Sequence, residues 1–285
     1  MLPGTATTST VAPDSTPAHT TTNINPVTYS WYGSVRFDTT DPDMKFHTSI
    51  NETTDTIVRN LPWPSLGFQS SEIGSNVFDV IEKFFANTEA PVCGSTILVL
   101  LKRFPNESDN SRLVSLIRSH HAILHVVTSS TPSGGSQPKT MYSAASKTNG
   151  IGAIESDEHF NIFSAWYPTY LYPYPVYATT IRVSGNGTKN LPGFYPSNSE
   201  LHYVSITYQD HVPDDSFQNL NLRWIRSGDS RNFPFDSSDV SDHWYGGTYA
   251  NDLIRFDKAY YWMAMDYNYT GQDVHNIQIR IYSGT

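Results

Sequence analysis

A continuous apolar run at Thr96–Leu101 (TILVLL) constrains the fold of this 285-residue chain more than any other feature. Turn-forming residues flank the run on both sides. An apolar strand without alternation is typical of a central parallel strand that helices cover on both faces. The run therefore predicts an α/β arrangement of layers around it.

Helical and strand patterns alternate on both sides of this run. After Ser75, a predicted N-cap, apolar residues recur at helical spacing as far as Phe85. In chain order we predict strand 31–37, a helix over 55–61, the helix that Ser75 caps, strand 96–101, a helix around 113–117 capped by Asp109 or Asn110, strand 122–127, helix 140–148 and strand 151–154. This order indicates βαβ units, so residues 28–157 are predicted to form a doubly wound, mostly parallel α/β domain.

Beyond residue 157 the pattern changes to an alternation of apolar and polar residues. The last such segment predicts Ile277, Ile279 and Ile281 on an inner face, with Gln278 and Arg280 pointing outward. A stretch at 165–177 that is rich in proline and tyrosine favours an extended edge segment. Residues 158–285 are therefore predicted to form an antiparallel β-sandwich.

Residues 1–27 are rich in Ser, Thr and Pro and have almost nothing apolar to bury. This composition predicts a disordered linker or an O-glycosylated stalk, because burial cannot repay the entropy of ordering it. No signal peptide is visible. We expect the chain to be the C-terminal part of a longer secreted protein whose export signal lies upstream. The alternative is a flexible terminus of a cytosolic protein.

Four Asn-x-Ser/Thr sequons are candidate N-glycosylation sites, at Asn51, Asn106, Asn186 and Asn268. About four are expected by chance in a chain of this composition, so they permit secretion without indicating it. Cys93 is the only cysteine, which excludes a disulfide within the chain.

The net charge and the hydropathy argue against nucleic-acid binding and against a membrane span. A net charge of -9 and the absence of any basic run argue against a nucleic-acid partner. No segment approaches the roughly 18 continuous apolar residues that are needed to cross a bilayer. We therefore expect neither nucleic-acid binding nor a membrane span.

Four segments of the α/β half carry a family resemblance. They are Tyr32–Phe37 (YGSVRF), Ser70–Asn76 (SSEIGSN), Thr96–Arg103 (TILVLLKR) and Met141–Gly150 (MYSAASKTNG). Together they resemble a von Willebrand factor A domain over less than half of the chain. The combination with a Ser/Thr-rich stalk and an aromatic, β-rich tail is similar to secreted proteins of nematodes.

The resemblance implies a site for a divalent cation, and this sequence departs from it. Family members bind the ion through Asp-x-Ser-x-Ser after the first strand, a Thr in a middle loop and an Asp after the central strand. Here the stalk stands in place of the first strand, so we expect either that the sheet lacks that strand or that the chain is a truncated gene product. Lys102 and Arg103 stand where the family has Thr-Asp, and Ser70 and Ser71 are candidates for the middle Thr. Cations repel a metal ion and serines alone do not hold magnesium, so we predict a degenerate, metal-free site and no cofactor.

Two further features are candidates for ligand binding. Aromatic residues are concentrated in the segment 165–177 and again at Tyr260, Tyr261 and Trp262. Exposed rings stack on sugars or anchor protein partners, and core packing is the alternative. The densest acidic segment is predicted to be a solvated loop without EF-hand spacing, with calcium binding as the alternative. The candidate residues are Trp166, Tyr167, Tyr170, Tyr172, Asp236, Asp239, Asp242, His243 and Trp244.

The sequence contains no nucleophile elbow and no phosphate-binding loop. Asp210-His211 and the following Asp214-Asp215 do not by themselves define a catalytic set. We therefore predict an extracellular, non-catalytic adhesion or recognition protein that binds an unidentified protein or glycan. A carbohydrate-binding module is the alternative, and a metal-assisted hydrolase in the β domain is a weaker one.

Overall fold

The computed structural model describes residues 29–160, 167–168, 171–243 and 246–284. A unit with a parallel sheet and helices comes first and two antiparallel sheets follow, so the predicted class of α/β plus all-β is confirmed. The predicted stalk at residues 1–27 lies outside the described residues. Among the described residues, no helix combines the length and the apolar character needed to cross a membrane.

Within the described residues, the α/β unit consists of a β-hairpin, four helices and a three-stranded parallel sheet with the order β3-β4-β5. Its elements are β1 (Tyr32–Val35), β2 (Met44–His47), α1 (Ile50–Arg59), α2 (Val77–Ala86), β3 (Thr96–Leu101), α3 (Ser111–Ser119), β4 (Ile123–Ser129), α4 (Thr140–Lys147) and β5 (Gly152–Glu155). The helix α1 begins five residues before its predicted start, because threonine-rich first turns have weak helix propensity and hide the start. The N-cap of α2 is Asn76, one residue after the predicted Ser75, whose Oγ accepts the N–H of Val77 at 3.2 Å.

Among the described strands, β3 lies at an edge of the parallel sheet and β4 is the middle strand of the three. Val99 and Leu101 belong to a core formed with α2, α3 and α4, whereas Leu98 and Leu100 on the opposite face are exposed. On that face, β4 and β5 pack against the antiparallel half. The predictions of a central strand and of a doubly wound sheet are therefore wrong. An uninterrupted apolar pattern permits burial of both faces but does not determine what covers them.

The antiparallel half is a β-sandwich of two four-stranded sheets, with the orders β10-β9-β12-β7 and β11-β8-β13-β6 among the described strands. Its elements are β6 (Tyr174–Val183), β7 (Asn186–Phe194), β8 (Glu200–Thr207), β9 (Phe217–Arg226), β10 (Asp229–Asp236), α5 (Ser237–His243), β11 (Tyr249–Phe256), β12 (Tyr261–Tyr269) and β13 (His275–Ser283). Alternate side chains of both sheets, including Val204, Leu222 and Ile279, form one buried core. The boundary between residues 157 and 158 stays a prediction.

The outer face of the sheet β11-β8-β13-β6 is buried against the α/β unit. Gln278 and Arg280 lie on the outer face as predicted, yet each is only 1% exposed. Gln278 Oε1 accepts the N–H of Gly152 at 2.9 Å, and Thr248 Oγ1 accepts the N–H of Ile154 at 2.8 Å. Gln278 and Thr248 therefore pair with the backbone of β5 instead of with solvent.

Candidate functional site

A lysine occupies the edge of the α/β unit where the family resemblance implied a cation. The ammonium of Lys102, just after β3, donates hydrogen bonds to Ser129 Oγ at 3.0 Å and to Thr131 Oγ1 at 3.1 Å. It also donates to the carboxylate of Asp157. Burial raises the pKa of Asp157, but hydrogen bonds from Lys102 and Ser129 lower it more, so the net shift is downward. The ammonium therefore places its positive charge among these oxygen atoms.

Arg103 is buried and holds the loop that precedes α2. Its guanidinium donates to the carbonyl oxygens of Phe68 at 2.9 Å, Ser70 at 2.8 Å and Ile73 at 2.8 Å. Ser70 and Ser71 contribute turn hydrogen bonds in the same region. The four residues that were predicted to form a degenerate metal site therefore take part in the structure of the sheet edge and its loops.

The first aromatic segment lies partly in the junction between the two halves. Tyr167 is 4% exposed, and its ring stacks on that of Tyr249 with 5.4 Å between the centroids. Tyr172 is also buried. Trp166 and Tyr170 lie outside the described residues. Tyr167 and Tyr172 therefore pack in the buried junction between the two halves, and their role in ligand binding stays a prediction.

The acidic segment forms the start of a helix and is not the predicted loop. Asp236 Oδ1 accepts the N–H of Asp239 at 3.1 Å, and Asp239 Oδ2 accepts the N–H of Asp236 at 3.1 Å. This reciprocal pairing is similar to a capping box and satisfies N–H groups at the start of α5. Asp242 is exposed later in α5, while the side chain of His243 and all of Trp244 lie outside the described residues. The carboxylates of Asp236 and Asp239 thus accept hydrogen bonds from backbone N–H groups at the start of the helix.

An exposed pair of aromatic side chains lies in the sandwich at the second aromatic cluster, Tyr260 and Trp262. Along β12, Tyr261 and Met263 point into the core, and strand alternation turns Trp262 outward with 57% of its surface exposed. Tyr260 precedes the strand and meets Trp262 edge to face, with 5.2 Å between the ring centroids. We call Tyr260 and Trp262 the aromatic shelf.

A bulge in the neighbouring edge strand makes room for the shelf. The pairing of β7 with β12 shifts register beside Trp262, where Pro192 and Gly193 provide the extra length. Bulges bend a strand and re-aim the side chains near it, and proline is tolerated because β7 is an edge strand. A Cβ atom at Gly193 would overlap the hydroxyl of Tyr260. Glycine at this position therefore allows the tyrosine to lie against the strand.

The aromatic shelf forms one wall of an open depression of about 560 Å³. The two-residue turn between β9 and β10 forms another wall, and Gly228 in that turn has a φ of 80°, which glycine adopts without strain. The lining residues are Arg226, Ser227, Gly228, Asp229, Ala259, Tyr260 and Trp262. A volume of this order suits a small ligand or one or two rings of a larger one.

Charged groups beside the shelf are held in place by ion pairs. Arg226 Nη1 lies 2.6 Å from Asp257 Oδ2, and Arg226 Nε lies 3.5 Å from Asp229 Oδ2. Asp229 Oδ2 also lies 3.1 Å from Arg231 Nε. The depression thus offers an apolar platform with hydrogen-bonding groups at fixed positions along its edge. This arrangement can bind a molecule that has an apolar face and polar edges.

The sequence showed a concentration of aromatic residues here but did not distinguish the exposed rings from the buried ones. The pattern that predicts the exposure of Trp262 is the alternation along β12, because Tyr261 and Met263 share the core face and the residue between them must point outward. The exposure of Tyr260 has no such periodic signal, because it lies in the turn before the strand.

The four sequons differ in their surroundings. Asn51, Asn106 and Asn186 are exposed, while Asn268 is half-buried in β12. The amide of Asn106 donates to the carbonyl oxygen of Glu72 at 2.9 Å and accepts from a serine hydroxyl at 3.0 Å. Asn51 and Asn186 therefore have the more accessible side chains for a glycan.

Residues 179–284 match the sequence profile of a family described as a domain of unknown function (DUF7154). The match covers most of the sandwich and little more than a third of the chain. A search among curated proteins finds no match to this sequence.

Solved structures of several β-rich proteins show distant likeness. The cupin domain of Drosophila melanogaster CENP-C has 10% identity and a TM-score of 0.19, over 36% of this chain and 59% of that one. A carbohydrate-binding module from Cellvibrio mixtus lichenase 5A, in complex with cellotriose, has 7% identity and a TM-score of 0.23, over 39% and 91%. An exo-β-1,3-galactanase from Phanerochaete chrysosporium has 10% identity and a TM-score of 0.21, over 37% and 29%. Scores this low support no inference about a ligand.

Proposed function

We propose that this chain is an extracellular, non-catalytic recognition protein whose sandwich binds carbohydrate on the aromatic shelf. The observation that carries the proposal is the exposed pair Tyr260 and Trp262, held edge to face above a depression with ion-paired charges. The pyranose ring of a sugar has an apolar face of C–H groups and a rim of hydroxyls. An aromatic platform beside fixed donors and acceptors matches both parts.

The charges at the edge of the depression support a neutral ligand over a strongly charged one. Arg226 is paired with Asp229 and Asp257, so the positive and negative groups largely compensate each other. Hydroxyl groups can donate to the carboxylates and accept from the guanidinium without requiring either pair to break. We therefore propose a neutral saccharide as the ligand.

The α/β half is proposed to be a von Willebrand factor A-like unit without a metal. The contacts of Lys102 with Ser129, Thr131 and Asp157 support this, because the ammonium supplies positive charge at that edge of the sheet. In this proposal the α/β half supports the sandwich through their shared buried junction.

Recognition of a protein partner is a second candidate function. Several apolar side chains at and after α1 are exposed, with Trp63 at 66%. Others in this group are Ile57, Val58, Leu61 and Leu66. Exposed apolar side chains close together are typical of protein interaction sites. This surface lies in the α/β half and is separate in sequence from the aromatic shelf.

A glycan array with the full chain tests the proposal, with and without EDTA. We expect binding to at least one neutral saccharide and a loss of at least about tenfold in affinity, or 1.4 kcal/mol, for Trp262→Ala and Tyr260→Ala. Trp63→Ala is the matched control, because it removes an exposed tryptophan from the other half. No binding under either condition, or equal binding by the shelf variants, would contradict the proposal.

The location of the native protein provides an independent test of the extracellular assignment. We expect the protein in the secreted fraction or at the cell surface, with its glycans released by a peptide N-glycosidase if Asn51 or Asn186 is used. Detection only in the cytosol would contradict this part of the proposal.

A further inference from the structure

A second cluster of polar side chains lies in the sandwich, apart from the aromatic shelf. Asp210 and His211 follow β8, and His275 is the first residue of β13. One ligand atom from each of these three residues lies within 4.8 Å of the others. The residues meet because β13 pairs with β8 and the loop after β8 passes the start of β13. We call Asp210, His211 and His275 the histidine cluster.

The side chain of His275 is buried without a hydrogen-bond partner. It is 2% exposed, and neither ring nitrogen has a partner within the described part of the chain. Its ring stacks on Tyr269 with 4.1 Å between the centroids, and the ring of His211 lies 5.3 Å away. Burying an unpaired polar group is unfavourable, and such a group in a native fold needs an explanation. A ligand atom bound between these side chains would provide one.

We propose that Asp210, His211 and His275 bind one divalent transition-metal ion of the zinc type. Two imidazoles and one carboxylate are typical ligands of Zn²⁺, whereas Ca²⁺ and Mg²⁺ prefer oxygen ligands alone. The ion replaces the proton between His211 Nδ1 and Asp210 Oδ1, which lie 3.3 Å apart. Three protein ligands leave one position of a tetrahedral ion for water or an exogenous ligand.

Two neighbouring residues adjust this site. Asp214 Oδ2 lies 3.1 Å from His211 Nε2 and orients the imidazole, as second carboxylates commonly do beside metal ligands. Lys139 Nζ lies 3.3 Å from Asp210 Oδ1 and brings a positive charge that competes with the ion. The lysine side chain is 54% exposed, so it can turn toward solvent when the metal binds.

The test is equilibrium dialysis of the untagged full chain against Zn²⁺ alone, followed by measurement of bound metal. We expect one ion per chain and a rise in Tm on addition of Zn²⁺, because the ion binds the folded state. His275→Phe keeps the stacking on Tyr269, and Asp210→Asn keeps the shape of the carboxyl group. Each variant is expected to lower the affinity by about 100-fold.

His202→Phe is the matched control, because it removes a buried imidazole of β8 that lies among aromatic rings outside the cluster. It is expected to bind Zn²⁺ like the parent, and Lys139→Met is expected to bind it more tightly. Circular dichroism confirms that each variant is folded. Absence of Zn²⁺ binding by the parent, or parent-like binding by both His275→Phe and Asp210→Asn, would overturn the proposal.

Discussion

The Nε atom of Arg280 donates a hydrogen bond of 3.0 Å to the carbonyl oxygen of Gly150, and this bond joins the last strand of the sandwich to the α/β unit. The guanidinium is buried, and its Nη atoms donate to the carbonyl oxygens of Ser146 and Thr179. Burial lowers the pKa of Arg280, because desolvation disfavours the charged form. A buried cation thus satisfies backbone oxygens from both halves of the molecule.

Replacement of Arg280 is expected to destabilise the whole chain. Arg280→Met keeps most of the apolar stem but leaves buried carbonyl oxygens, including that of Gly150, without a donor. We expect the free energy of unfolding to fall by about 2 to 4 kcal/mol, measured by urea denaturation. Arg182→Met, on the exposed face of β6, should change it by less than about 0.5 kcal/mol. Equal stability of both variants would contradict this role of Arg280.

Glu155 is expected to make stability fall as pH rises. Its carboxyl group is buried beside Thr248, and desolvation raises its pKa from 4.5 to about 9. Between those values the folded state holds one proton that the unfolded state has released, so stability is highest below pH 4.5 and decreases toward pH 9. The slope contributed by this group is at most about 1.4 kcal/mol per pH unit.

Glu155→Gln removes this titration, and the measurement is the difference in unfolding free energy between variant and parent at several pH values from 5 to 9. We expect the variant to gain relative stability at each higher pH. Glu158→Gln, at an exposed position nearby, is the control and should show no such trend. A constant difference for Glu155→Gln across this range would contradict the assignment.

Gly193 is expected to control the aromatic shelf without being part of it. In Gly193→Ala the new Cβ displaces the hydroxyl of Tyr260 and tilts its ring away from Trp262. We expect a loss of saccharide affinity of about tenfold, or 1.4 kcal/mol, in titrations with the best glycan from the array. Asn190→Ala, exposed on the same strand, is the control and should bind like the parent. If Gly193→Ala binds the saccharide like the parent, the position of Tyr260 does not contribute to the binding site.

Introducing the residues of von Willebrand factor A domains after β3 is not expected to create a magnesium site. In the double variant Lys102→Thr and Arg103→Asp, a carboxylate replaces the guanidinium that faces the carbonyl oxygens of Phe68, Ser70 and Ile73. Repulsion between these oxygens and the new carboxylate should destabilise the loop. Calorimetry should therefore detect no tight binding of Mg²⁺. A measured tight affinity would show that this edge retains a complete ligand set.

Local periodicity predicted most elements of the fold. The run at Thr96–Leu101 forms β3 with the predicted bounds, and the helices around Phe85 and Ile117 are present. Helix spacing and strand alternation are properties of adjacent residues, so they can be read without knowing the neighbours. For the candidate site, the alternation of core and surface positions in β12 is enough to predict that Trp262 points outward.

The sequence by itself determined the class of the two halves, the inner face of the last strand of the sandwich and the cationic character of the edge at Lys102. The tertiary structure alone decided that β3 lies at an edge among the described strands, that Tyr167 and Arg280 are buried, and that His275 meets Asp210. The physical reason is that a pattern of polar and apolar residues reports which surfaces tolerate burial, whereas the partner of each surface depends on contacts between residues far apart in the chain.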